Sequence, residues 1–65
     1  MEHAIKRAER CGDGINVIWE KRGREVFLYF SFTRLVDIGV NALDLLENPR
    51  NYRFNEETKV LSSVT

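Results

Sequence analysis

The chain has 65 residues, is 43% hydrophobic, and carries ten basic and ten acidic residues. It is too apolar for a disordered tail and too short for two cores, and its net charge of zero creates no field to attract nucleic acid or an anionic membrane. We therefore expect one domain, residues 1–65. A single cysteine and a single histidine exclude an internal disulfide and a zinc site, so association into a homodimer is the remaining way to stabilise so small a core.

The first predicted element is a helix over residues 2–11. Apolar residues recur there at intervals of three and four, and Gly12 and Gly14 follow where the pattern ends. The apolar stripe of this predicted helix consists of Met1, Ala4, Ile5, Ala8 and Cys11.

Two β-rich runs flank Arg22-Gly23 and predict a β-hairpin over residues 15–32. A turn at these two residues gathers apolar side chains on one face. The predicted cross-strand pairs are Trp19 with Val26, Val17 with Leu28, and Ile15 with Phe30. The opposite face carries Ile18, Phe27 and Tyr29, so it is either covered by the first helix or forms a contact surface for another chain.

A second helix is predicted over residues 34–48, capped by Ser31 or Thr33 and ended by Pro49. Alternation of Tyr52 and Phe54, then a polar break, then Val60 to Val64, predicts a second and weaker hairpin at the C-terminus. The fold class expected is α+β, with an antiparallel sheet packed against two helices.

The sequence offers few residues that could form a catalytic site. His3 and Cys11 lie eight residues apart on the predicted helix, too far to pair, so we expect a solvated His3 and a structural Cys11. Asp37, Asp44 and Glu47 fit the polar stripe of an amphipathic helix. We therefore expect no enzyme activity, no cofactor and no metal.

Aromatic and arginine side chains, which are frequent at protein interfaces, are the main functional signal. The residues predicted to bind a protein partner are Ile18, Arg22, Arg24, Phe27, Tyr29, Arg50, Tyr52 and Arg53. The alternative is a nucleic-acid-binding regulator that uses the basic hairpin tip and the N-terminal helix. Its predicted contacts are Lys6, Arg7, Arg10, Lys21, Arg22 and Arg24.

The function expected from these features is that of a regulator or inhibitor that occupies a surface of a larger protein. The background expectation for such a compact chain is a regulator of the phage or mobile-element type. The N-terminal residues lack the apolar core of a signal peptide and no run reaches bilayer length, so we expect a cytoplasmic protein without a membrane anchor.

Overall fold

The structure is a computed structural model that describes residues 2–64. It confirms the α+β class: two antiparallel three-stranded sheets are combined with two short helices. The strands are β1 (Glu2–Ala4), β2 (Arg7–Cys11), β3 (Gly14–Lys21), β4 (Arg24–Ser31), β5 (Tyr52–Asn55) and β6 (Val60–Ser63). The helices are α1 (Phe32–Asp37) and α2 (Ala42–Glu47), and a 3₁₀ turn covers Pro49–Asn51.

One bent N-terminal segment connects the two sheets. The strand orders are β2-β3-β4 and β1-β5-β6, and only Ile5 and Lys6 separate β1 from β2. The Ile5 N–H donates to the Tyr52 carbonyl at 3.1 Å, and the Lys6 N–H donates to the Ile18 carbonyl at 2.7 Å. Each of these two residues therefore extends a different ladder, and the chain passes from one sheet to the other without a loop.

The core lies between the two sheets and the helices. Trp19 from β3 stacks on Phe54 from β5, with ring centroids 4.8 Å apart, and Phe30 meets Phe54 edge to face at 6.1 Å. The other fully buried side chains are Ile5, Ile15, Val17, Leu35, Leu45 and Leu61. Every strand from β3 onwards contributes at least one apolar side chain to the core. The core is therefore complete only when both sheets are in place.

The central hairpin is confirmed together with its register. Arg22 and Gly23 adopt positive φ angles of 55° and 79°, the conformation of a two-residue type I′ turn, which matches the twist of paired strands. The observed pairs Trp19↔Val26, Val17↔Leu28 and Ile15↔Phe30 are those predicted. The C-terminal hairpin is confirmed as β5 and β6, with Phe54 opposite Leu61.

The predicted helix over residues 2–11 is wrong, because this segment forms β1 and β2. An isolated helix this short is marginal in water, whereas β3 offers a long row of backbone groups that require partners. Pairing Arg7 with Ile18 and Ala8 with Val17 satisfies those groups. The stripe was misleading, since Cys11 is exposed rather than structural.

The predicted helix over residues 34–48 is two helices. Ser31 caps α1 as predicted, its Oγ accepting from the Arg34 N–H at 3.1 Å. Gly39 then takes a φ of 77°, a left-handed conformation typical of helix ends, and Asn41 caps α2 by accepting from the Asp44 N–H at 3.0 Å. The break lets Val40 turn into the core, 8% exposed.

Within residues 2–64, no helix has the length and apolar character needed to cross a membrane.

Candidate protein-binding surface

The candidate surface is the face of the β2-β3-β4 sheet that points away from the core, here called the outer face. Strand register places its side chains in two rows across the sheet. The rows are Arg7, Ile18 and Phe27, and then Glu9, Asn16 and Tyr29. Within residues 2–64 no helix lies over these rows, because the N-terminal segment, whose predicted helix was one of the two alternatives for this face, is itself part of the sheet.

Two aromatic side chains dominate the outer face. Phe27 is 69% exposed and Tyr29 is 46% exposed, although both belong to a regular strand of eight residues. Ile18 lies in the central strand between Arg7 and Phe27 and is only 5% exposed. A groove of about 280 Å³ runs beside it, with Asn16 and Val26 in its lining. The outer face thus offers a rigid apolar ridge next to a shallow groove.

Gly14 explains the position of the Tyr29 ring. A β-carbon built at Gly14 would lie 2.7 Å from both Cζ and Oη of Tyr29, and it would also collide with the Phe30 carbonyl oxygen. The hydroxyl end of the Tyr29 side chain therefore lies over the glycine, one strand away from its own backbone. Such a close approach is possible only where no side chain is present.

An ion-pair cluster borders the groove. The Glu25 carboxylate accepts from Arg7 Nη1 at 2.7 Å and from Lys6 Nζ at 3.0 Å, and Arg7 also contacts Glu9 at 3.3 Å. Hydrogen bonding by Arg7, and then by Lys6, lowers the pKa of Glu25 to about 2. The same contact with Glu25 raises the pKa of Lys6. Because these groups are exposed, the cluster fixes side-chain positions more than it stabilises the fold.

We expect acid to weaken the fold partly through Glu25. The pKa of Glu25 in the folded protein, about 2, is below its ordinary value of 4.5. The contribution of Glu25 to the free energy of unfolding is therefore complete above pH 4.5 and is lost as the pH falls toward 2. Glu25→Gln should therefore show a smaller loss of stability across this window than the wild type. Urea unfolding at several pH values measures the difference, and Glu47→Gln, on the exposed end of α2, is the control. Equal acid sensitivity of Glu25→Gln and wild type would contradict this prediction.

The predicted partner-binding residues separate into two groups. Ile18, Phe27 and Tyr29 share the outer face, and Arg22 and Arg24 lie at the tip of the same hairpin, both exposed. The remaining three residues belong to the other part of the fold. They are Arg50, Tyr52 and Arg53, in the 3₁₀ turn and in β5.

Tyr52 is buried and serves the fold. It is 4% exposed, and its hydroxyl donates to Asp44 Oδ2 at 2.6 Å. This hydrogen bond raises the pKa of Tyr52 to about 12 and lowers the pKa of Asp44. Arg50 lines a separate depression of about 540 Å³ with residues of β1. We therefore centre the candidate surface on the outer face and the hairpin tip, and the roles of Arg50 and Arg53 in partner binding stay predictions.

The six predicted nucleic-acid contacts are largely engaged within the chain. Lys6 and Arg7 bind Glu25, and the Lys21 ammonium lies 3.0 Å from the Glu56 carboxylate. The Arg10 guanidinium lies 5.8 Å from the centre of the Phe32 ring. Among the described residues, only Arg22 and Arg24 of this set have neither an ion pair nor an aromatic ring as a neighbour.

Two features of the structure were missed in the sequence. The Glu25 cluster depends on Arg7 being at the start of a strand, and the signal available was the opposite charge of Arg7 and Glu9, two residues apart as on one face of a strand. His3 was expected to be solvated, yet its side chain is 13% exposed, stacks on Trp19 and lies 2.9 Å from Glu56. Within residues 2–64 no group of three or more acidic, histidine or cysteine side chains is arranged to hold a metal.

Comparison of the chain with protein-family models, with curated proteins and with solved structures finds no match in any of the three.

Proposed function

We propose that this protein is a small, non-enzymatic binding module, a regulator or inhibitor that acts by occupying a surface of a larger protein partner. The observation that carries this proposal is the exposure of Phe27 and Tyr29 side by side on a regular strand. Soluble monomers seldom leave adjacent large aromatic residues uncovered, and such residues often provide most of the energy of a protein interface. A cytoplasmic location agrees with the exposed thiol of Cys11.

The remaining features of the surface suit an interface. The aromatic ridge supplies anchors, and the groove beside Ile18 accepts a projecting side chain of the partner. Arg22 and Arg24 lie at one end as charged rim residues, which contribute more to orientation than to affinity. Because the anchors belong to a regular strand, binding does not have to order the backbone that carries them.

Nucleic-acid binding is the less favoured alternative. Neutralising phosphates requires basic groups that are free to leave their protein partners, and Lys6, Arg7 and Lys21 are held by carboxylates. Arg22 and Arg24 alone provide too few phosphate contacts for tight binding at physiological salt.

The proposal is tested by capture of partner proteins from a lysate of the source cell. We expect the wild type to retain a partner that Phe27→Ser with Tyr29→Ser loses, with affinity reduced roughly 700-fold, since two anchors at about 2 kcal/mol each contribute about 4 kcal/mol together. Val36→Ser with Leu43→Ser is the matched control, because these two apolar side chains are 76% and 71% exposed on the helices.

Two results would contradict the proposal. One is equal partner capture by the outer-face variant and the wild type. The other is tight binding of random-sequence DNA or RNA that weakens steeply with salt and is abolished by Arg22→Ala with Arg24→Ala, since this pattern is the signature of phosphate contacts.

A further inference from the structure

The open edge of β4 is a second unpartnered feature, distinct from the side chains of the outer face. Within residues 2–64, β4 pairs only with β3, and no strand covers its other edge. The other edge strands, β1, β2 and β6, have three, five and four residues, whereas β4 has eight. Proteins usually protect long edges with charges, proline or bulges, and residues 26–30 of β4 contain none of these.

The hairpin turn determines which backbone groups face the open edge. In a two-residue turn the flanking residues, Lys21 and Arg24, form a hydrogen-bonded pair, so every second residue of β4 is directed toward β3. The Phe32 N–H continues this alternation by donating to the Asp13 carbonyl at 2.9 Å. The N–H and C=O groups of Glu25, Phe27 and Tyr29 therefore point outward and are available to another strand.

We propose that β4 pairs with β4 of a second copy of this chain, antiparallel about a two-fold axis at Leu28. In this register Phe27 lies opposite Tyr29 of the other copy, and Leu28 lies opposite its own equivalent. The ladder runs from Glu25 to Ser31 in each chain and ends where α1 begins. Two sheets thereby become one continuous sheet, and the outer faces of both copies become one surface with twice the aromatic anchors.

The charges of β4 favour antiparallel over parallel pairing of two copies. The charged residues of β4 lie only at its start, Arg24 and Glu25, so antiparallel pairing sets each charged end against the uncharged end of the other strand. The two Glu25 residues are then about 20 Å apart, well beyond the screening length of about 8 Å. Parallel pairing in register would instead place Glu25 against Glu25 and Arg24 against Arg24, which is destabilising. A net charge of zero adds no repulsion between the copies.

The two-fold axis at Leu28 allows a sharp test. Leu28 is 38% exposed, so the strand accepts a longer polar side chain there. Leu28→Lys and Leu28→Glu each place like charges face to face at the axis, where the paired Cα atoms lie about 4.5 Å apart. We expect wild type to sediment at about twice 7.6 kDa at tens of micromolar, and each variant alone at 7.6 kDa. An equimolar mixture of the two variants should recover the dimer mass, because opposite charges then meet.

Several outcomes overturn the inference. These are a monomeric wild type, charged variants that dimerise as the wild type does, and a mixture that stays monomeric. Val60→Lys is the matched control, 43% exposed on another edge strand, β6, and should remain a dimer. Should the Leu28 variants fail to fold, chemical synthesis with an N-methyl amide at Phe27 removes one outward N–H without changing a side chain. Dimerisation of that chain with unchanged affinity would equally overturn the inference.

The dimer and the proposed function are separable in the same experiment. Leu28→Lys keeps Phe27 and Tyr29. If this variant is monomeric and still captures the partner, it has lost only the doubled surface, and the proposed function stands. A dimeric wild type that captures no protein would instead contradict the proposed function and leave the β4 pairing intact.

Discussion

Replacing Trp19 with alanine should leave the protein largely unfolded at room temperature. The indole is 5% exposed and stacks on both His3, at 6.0 Å, and Phe54, at 4.8 Å, so its removal opens a cavity between the two sheets. Truncation of a buried aromatic costs about 3–5 kcal/mol, and a chain of this size has a total stability of roughly 3–10 kcal/mol. Urea titration followed by far-ultraviolet circular dichroism measures the loss without relying on tryptophan fluorescence.

Two substitutions serve as controls for Trp19→Ala. Trp19→Phe keeps a ring in the stack, and since the indole N–H donates no hydrogen bond within residues 2–64, it should cost only about 1–2 kcal/mol. Phe27→Ala removes an aromatic ring from the same sheet, but one that is 69% exposed, and should change stability by about 0.5 kcal/mol or less. A Trp19→Ala protein whose urea midpoint matches that of Phe27→Ala would show that the two sheets do not share one core.

The central hairpin was predictable because local and global signals agree there. Arg22-Gly23 suits a two-residue turn, and the register that this turn dictates is also the one that buries Ile15, Val17 and Trp19. The N-terminal segment was not predictable in the same way. Its spacing of apolar residues fits a helix, but the free edge of β3 decides the outcome, and an edge that requires a partner is a property of the folded sheet.

The candidate surface was likewise predictable from the sequence only in part. Ile18, Phe27 and Tyr29 were identified as one face from strand alternation alone. Whether that face is open depended on the N-terminal segment, which a helix would have placed over the aromatic rings and which instead extends the sheet beside them. The break at Gly39 and Asn41 was missed because the apolar pattern continues through it, although a glycine followed by an asparagine is typical of a helix end and a new cap.

Replacing Gly14 with alanine should destabilise the protein and disturb the binding surface together. The added β-carbon would lie 2.7 Å from the Tyr29 ring and would also collide with the Phe30 carbonyl oxygen. The ring is able to swing away, but the carbonyl belongs to the β3-β4 ladder and moves only if that ladder distorts. Overpacking of this kind costs about 1–3 kcal/mol. Urea titration measures the stability, and partner capture should fall because Tyr29 is displaced from the outer face.

A double-mutant cycle with Tyr29→Ala separates the two collisions. Without the phenol ring only the carbonyl collision remains, so Gly14→Ala should cost less in the Tyr29→Ala background, by about 0.5 kcal/mol or more. Gly12→Ala is the matched control: its φ of 56° strains any side chain, but nothing lies within 4 Å of its added β-carbon. Its cost should be the same in both backgrounds. If Gly14→Ala is equally costly with and without the Tyr29 ring, the ring does not lie over the glycine, and the outer face presents Tyr29 differently from the surface that we propose for partner binding.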